Sequence, residues 1–225
     1  MSILLMEHTC KIGTILIMKK LFHIIATPRG DESTTMQISE IFLENFTKTH
    51  SDWVIDTLDL TKDNLPVLTI KRVDGKYVLL DGKELYGELK EAWQDIISHI
   101  DRFKSADGYL ITTPMWNFSI PYFLKQYIDI IIQPKFLFRY THSGVEGLVK
   151  NKKMLVITSR GGDYKISGPY SADLQQPYLR TIFGFVGLTE MDFVIAQPMD
   201  TNPDIRKTKL QEAKEEAAKF ASNYF

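Results

Sequence analysis

Residues 108–121 read GYLITTPMWNFSIP. The run from Gly108 to Thr112 is short, apolar and free of polar alternation, and it gives way at once to proline, methionine, aromatic and amide residues. A run of that kind predicts a strand buried on both faces, followed by a loop that is not an ordinary polar connection. Similar runs recur at 21–26, 53–58, 154–158 and 193–196, so five strands are expected. Between them the apolar residues take helical spacing: Met36, Ile38, Ile41, Phe42 and Phe46 after the first run, and Leu85, Leu89, Trp93, Ile96, Ile97 and Ile100 before the third. Strands alternating with helices imply parallel neighbours, because parallel pairs need crossover connections. The expected class is α/β, a doubly wound sheet of five parallel strands with helices on both faces.

Three other segments are read from local signals. Residues 64–82 contain Leu65-Pro66, Asp74-Gly75 and Asp81-Gly82, which predict a loop with a small hairpin. Residues 136–148, FLFRYTHSGVEGL, read as a second loop with interleaved aromatics. Residues 205–225 carry Leu210, Ala213, Ala217 and Phe220 on one stripe and predict a closing amphipathic helix whose Lys/Glu face is solvated and has no assigned role.

The net charge of -1 provides no global field for nucleic acid or an anionic membrane, so neither is an expected partner. A single cysteine, Cys10, forms no intramolecular disulfide and no metal cluster, which suits the cytoplasm. The apolar stretch 13–21 is broken by Lys19 and Lys20 and is shorter than the roughly 20 residues of a membrane-spanning helix. The domain pattern begins at Met18, giving a domain over 18–225. Residues 1–17 are either a disordered extension or the product of a start assigned too early; Glu7 and His8 break the apolar run that a signal peptide needs.

Ligands of open α/β sheets bind at the carboxyl ends of the strands, where strand order reverses. After the first strand, Thr27, Ser33, Thr34 and Thr35 place hydroxyls at a helix start, where free N–H groups and the helix dipole favour an anion, and Arg29 adds charge. These groups suit a phosphate monoester; Ser33 and Thr34 also suit a plain helix cap. The loop has neither GxGxxG nor GxxxxGK[ST]. After the third strand, Pro114, Met115, Trp116, Asn117 and Phe118 suit a planar ring, aromatics flanking it and the amide bonding its heteroatoms; simple packing of an aromatic loop on the core is the competing reading. After the fourth strand, Ser159, Arg160, Gly161 and Gly162 allow close backbone approach to a ligand, or form an ordinary glycine turn.

On these motifs, with FRYTHSGVEGLVKNKKMLVITSRGG at 138–162 and PYLRTIFGFVGL at 177–188, the chain resembles the FMN-dependent NADH-azoreductase and NADH:quinone oxidoreductase family, of flavodoxin-like fold, over 19–196. The resemblance implies FMN phosphate binding by Thr27, Ser33, Thr34 and Thr35, and isoalloxazine binding by Met115, Trp116, Asn117 and Phe118, with Ser159, Arg160, Gly161 and Gly162 completing the site. Thr27 stands where serine is common and Trp116 where tyrosine is common. Tyr140 and Phe185 match substrate-face aromatics, the second reaching across a homodimer. The implied reaction is a ping-pong cycle: NADH or NADPH delivers hydride to flavin N5 and leaves, and a quinone or azo compound takes its place. It needs no protein base, and His142 is read as a solvated loop residue. A flavodoxin-type electron carrier is the alternative, disfavoured by the near-neutral charge. Phe183, Phe185 and Val186, with Ile128, Ile131 and Ile132, give two helices more apolar surface than one sheet face needs, which predicts a dimer interface.

Overall fold

Alternation within the first strand decides which side chain enters which core. In a computed structural model that describes residues 18–165 and 172–225, β1 (Lys19–Ile25) directs Leu21 to one face of the sheet and Phe22 and Ile24 to the other. The sheet has five parallel strands in the order β2-β1-β3-β6-β7, with β2 Trp53–Asp59, β3 Gly108–Thr112, β6 Lys153–Ser159 and β7 Glu190–Ala196. All five expected strands form. β3 is buried along its whole length, the outcome its unalternating sequence demands.

On one face, α1 (Thr34–Thr49) and α7 (Pro203–Asn223) bury Ile38, Phe42, Phe46, Ala213, Ala217 and Ala221 against Leu21, Leu110 and Leu155. The alanines let α7 lie close along α1. On the other face, α4 (Gln94–Lys104), α5 (Tyr122–Ile131) and α6 (Gln175–Phe185) cover Phe22, Tyr109, Ile111 and Val156. The chain goes from β1 outward to β2 and then back past β1 to β3, so strand order reverses between β1 and β3. The crevice outside their carboxyl ends is where such a sheet takes a ligand.

The structure corrects the reading of 64–82. Rather than a hairpin, it contains α2 (Ile70–Leu80), followed by the short α3 (Gly87–Ala92). Asp74-Gly75 is a packing device and not a turn: Gly75 is buried, a Cβ there would collide with the Trp93 indole, and the indole Nε1 donates to the Arg72 carbonyl at 3.0 Å. Gly82 does act as punctuation, with φ 77° just past the helix end. Residues 136–148 are also more ordered than expected. They form an antiparallel hairpin, β4 (Phe138–Thr141) with β5 (Gly144–Gly147), turning at His142 and Ser143 and cross-linked by Arg139 and Glu146.

The apolar surplus expected on two helices is absorbed within the chain. Ile128, Ile131, Phe183 and Val186 are buried and Ile132 nearly so; only Phe185, 37% exposed, faces outward. The buried ones therefore do not argue for a second subunit. Residues 1–17 lie outside the described residues.

Candidate functional site

Ser33 ends the loop after β1 with extended backbone and caps α1, its Oγ accepting the Met36 N–H at 3.4 Å. The remaining N–H groups of a first helical turn have no intrahelical acceptor, which is what makes such a turn an anion site. Thr27 Oγ1 donates to Ser33 Oγ at 2.9 Å, and Thr34 and Thr35 follow on the first turn itself. These side chains line a cavity of about 280 Å³ together with Pro28 and Arg29. Its far wall comes from the loops after β3 and β6, through Pro114, Met115, Trp116, Ser159, Arg160 and Gly161.

Three sets of bonds hold these loops together. Thr35 Oγ1 and Ser159 Oγ share a hydrogen bond at 2.6 Å, and Met115 N donates to the Ser159 carbonyl at 2.9 Å. Buried Gln175, at the start of α6, accepts from Thr158 Oγ1 at 3.0 Å and donates to the Pro114 carbonyl at 3.0 Å. Behind Thr35 a polar chain runs into the core: Ser39 Oγ donates to the Thr35 carbonyl at 3.1 Å and meets Thr112 Oγ1 at 2.6 Å, and Thr112 Oγ1 meets His23 Nε2 at 2.8 Å. His23 is fully enclosed, and burial pulls its pKa down to about 4 against a weaker opposing pull from Asp59, so the ring is neutral at pH 7.

The PMWNF segment closes on itself. Trp116 and Ser119 exchange two backbone hydrogen bonds at 2.9 Å, leaving Asn117 and Phe118 as the corner residues with φ of 46° and 68°. This is the positive-φ pattern of a tight primed turn, which asparagine tolerates and phenylalanine does not favour. The rings of Trp116 and Phe118 are both 38% exposed; Trp116 lines the cavity, whereas Phe118 lies edge-on to Tyr164 at 6.2 Å and lines neither the cavity nor the hollows beside it. Trp116 lines both the first cavity and a hollow of about 490 Å³ that includes Asn117, Tyr122 and Tyr178, and Pro28 lines both it and another of about 330 Å³ that includes Asn64, Leu65 and Tyr122. The three hollows adjoin one another, polar at the α1 end and aromatic beyond Trp116.

Of the residues singled out from sequence, Thr27, Arg29, Ser33, Thr34, Thr35, Pro114, Met115, Trp116, Ser159, Arg160 and Gly161 come together around the polar end, and Asn117 lines the aromatic end. Arg160 is 3% exposed and turned inward: its guanidinium is ion-paired with Asp173 at 2.9 Å and bonded to Gln175, and burial lowers its pKa while Asp173 opposes the shift. It ties the loop after β6 to the start of α6. A Cβ at Gly161 would strike the Asp200 carboxylate and force that flexible side chain to move, whereas one at Gly162 would meet the Tyr164 ring at an ordinary 3.6 Å. Tyr140 and Phe185 lie elsewhere, gathered around Phe138, with Phe138 to Phe185 centroids 4.7 Å apart. Met199, Asp200 and Arg206, which the sequence reading passed over, also line the cavity. The signal for them was QPMD directly after the fifth strand, a fourth carboxyl-end loop.

Residues 19–221 match the model of the flavodoxin-like fold family. The chain is 35% identical over 209 residues to the FMN-dependent NADH:quinone oxidoreductase of Nitratidesulfovibrio vulgaris strain DP4, covering 92% of this chain and 100% of that protein. It is 36% identical over 209 residues to FMN-dependent NADH:quinone oxidoreductase 2 of Trichormus variabilis, with the same coverage. Among solved structures, an azoreductase from Bacillus anthracis strain Sterne superposes with a TM-score of 0.82 at 29% identity, covering 91% of this chain and 99% of that one. An FMN-dependent NADH-azoreductase from Bacillus anthracis strain Ames Ancestor, in complex with FMN, superposes with a TM-score of 0.78 at 29% identity, covering 91% and 100%.

Proposed function

The chain belongs to the flavodoxin-like fold family, and from that premise we propose that it is an FMN-dependent oxidoreductase that passes hydride equivalents from NADH to quinones and aromatic azo compounds. The observation that carries the reading is the pair of adjoining hollows at the strand-order reversal, one lined by the hydroxyls of a helix start and the other by Trp116 and the Asn117 turn. A flavin mononucleotide has the same polarity: one phosphate, a flexible polyol and a planar ring. Curated relatives that this chain covers along their whole length carry the FMN-dependent NADH:quinone oxidoreductase name.

Each residue then has a task. Thr27, Ser33, Thr34 and Thr35, with the N–H groups of the first turn of α1, hold the phosphate, and Arg29 adds charge. Pro114, Met115, Trp116, Asn117 and Phe118 would seat the ring, and the Asn117 amide and the backbone of Gly161 and Gly162 would offer hydrogen-bond donors to its heteroatoms. Ser159 fixes Thr35, and Arg160 acts from behind by fixing the loop that carries the glycines. The bound flavin supplies the two-electron chemistry. The chain's N–H and amide donors stabilise the negative charge that reduction brings, a preorganised electrostatic role that needs no protein base.

We also propose that two copies complete the pocket. Tyr140, 64% exposed, and Phe185 do not line these hollows in their own chain, yet they form an exposed aromatic wall suited to a partner's. The proposed setting is the cytoplasm. No helix among the described residues is long and apolar enough to cross a membrane. An electron-carrier role finds no support in the near-neutral charge.

The test is the absorbance spectrum of the purified protein, incubated with FMN if it emerges colourless, followed by anaerobic addition of NADH and then a quinone. Bleaching by NADH and recovery with quinone are expected. A protein that binds no FMN is not this enzyme.

A further inference from the structure

The chain has seven arginines, and six of them are engaged. Arg72, Arg102, Arg139 and Arg160 each have a carboxylate within 2.9 Å, Arg29 faces Glu32 at 3.7 Å, and Arg180 donates to the Met191 carbonyl and stacks over Phe193. Arg206 is different. The one polar contact of its guanidinium among the described residues is a long one, Nη2 to Thr34 Oγ1 at 3.4 Å. Sequence explains the lack of an ion pair: the helical neighbours three and four positions away are Asn202, Pro203, Lys209 and Leu210, none of them acidic. Tertiary structure explains where the charge goes. The Asn202 cap and Pro203 start α7 beside the first turn of α1, so a residue from the last helix lines the cavity at Thr34.

We infer that Arg206 is a further ligand of the cofactor phosphate, supplied by the closing helix and joining Arg29 in the lining of the anion site. The inference rests on the FMN reading and deepens it. The charged groups lining the cavity are Arg29, Arg160, Arg206 and Asp200. Arg160 pairs Nη1 with Asp173 and keeps only its buried Nη2 unpartnered, and Asp200 repels an anion, so a further cation at the helix start holds a dianion more firmly. The geometry also couples cofactor to fold. α7 packs along α1 through Ala213, Ala217 and Ala221, and a phosphate bridging Thr34 and Arg206 fastens the leading turn of the same helix.

The experiment compares FMN with riboflavin, which has the same ring and polyol but no phosphate, by quenching of flavin fluorescence in wild type, Arg206→Gln and Arg206→Lys. Arg206→Gln should weaken FMN by about tenfold, the scale of one charge-assisted contact at a solvent-facing site, and leave riboflavin unchanged. Arg206→Lys should recover part of the loss, and the salt dependence of FMN binding should flatten in the glutamine variant. Hydrogen exchange in the first turn of α7 should slow on FMN binding in wild type and not in Arg206→Gln. Equal losses for FMN and riboflavin, or an FMN affinity that the glutamine leaves untouched, overturn the inference while the flavin reading stands. A wild type that binds neither flavin defeats both.

Discussion

Thr35 Oγ1 and Ser159 Oγ meet at 2.6 Å across 124 positions of sequence. That bond fastens the first turn of α1 to the end of β6, the two elements that face each other over the cavity. Thr35→Val and Ser159→Ala each remove it with little change of shape. Each should cost about 1 kcal/mol of FMN binding, roughly fivefold in Kd. Because both delete the same interaction, the double variant should be little worse than either single one, a coupling that a double-mutant cycle by FMN titration reads directly. Fully additive losses would show that the two hydroxyls act separately.

Gly161 and Asp200 are matched sterically. Gly161→Ala should push the Asp200 carboxylate aside into the cavity and lower FMN occupancy of the purified protein. Gly161→Ala with Asp200→Ser should restore it, because the obstruction is the far end of a flexible side chain. If the second substitution gives no rescue, close approach of the ligand itself to residue 161 is the constraint.

Asn117 holds the turn at φ 46° and lines the hollow beyond Trp116, where the proposed site gives its amide a second task. Asn117→Gly keeps the turn and deletes the amide, so thermal stability should hold while FMN binding weakens by about 1 to 3 kcal/mol. Asn117→Val should harm both, since a β-branched residue resists positive φ. Unchanged FMN affinity in the glycine variant would leave Asn117 a turn residue only.

His23 makes stability depend on pH. Its folded pKa of about 4 lies below the ordinary 6.5, so the unfolded chain binds the proton more readily, and stability rises with pH in that window. The contribution is complete above pH 6.5 and is lost as pH falls from 6.5 through about 4, a total of about 3 kcal/mol. Urea denaturation of wild type and His23→Asn at several pH values should show a shallower slope for the variant between pH 6.5 and 4. Parallel slopes would mean that the imidazole takes up its proton without unfolding cost.

Phe185 tests the composite pocket. Light scattering should give twice the chain mass. Phe185→Ala should raise KM for a quinone while leaving FMN affinity near wild type, because the ring stands with Phe138 and Tyr140 away from its own chain's cavity. A fully active monomer would refute the shared pocket and leave the flavin site intact.

Residue order alone determined a good deal of this protein. The unbroken apolar run of β3 required a buried strand, its repetition between amphipathic helices required a parallel sheet, and the hydroxyls at 33–35 marked a helix start open to an anion. Those are local or periodic properties, and burial on a pleated or helical surface reads them out residue by residue. The rest depended on neighbours remote in the chain. Asp74-Gly75 looked like a turn until Trp93, 18 positions on, claimed the space that the glycine leaves. Arg160 gave no sign in sequence that Asp173 and Gln175 would hold most of its guanidinium, and nothing in sequence placed Arg206 beside Thr34 until α7 docked there. A glycine's missing side chain and an arginine's long one are both permissive in sequence; which turn, ion pair or cavity they serve is fixed only when packing brings their partners within contact distance.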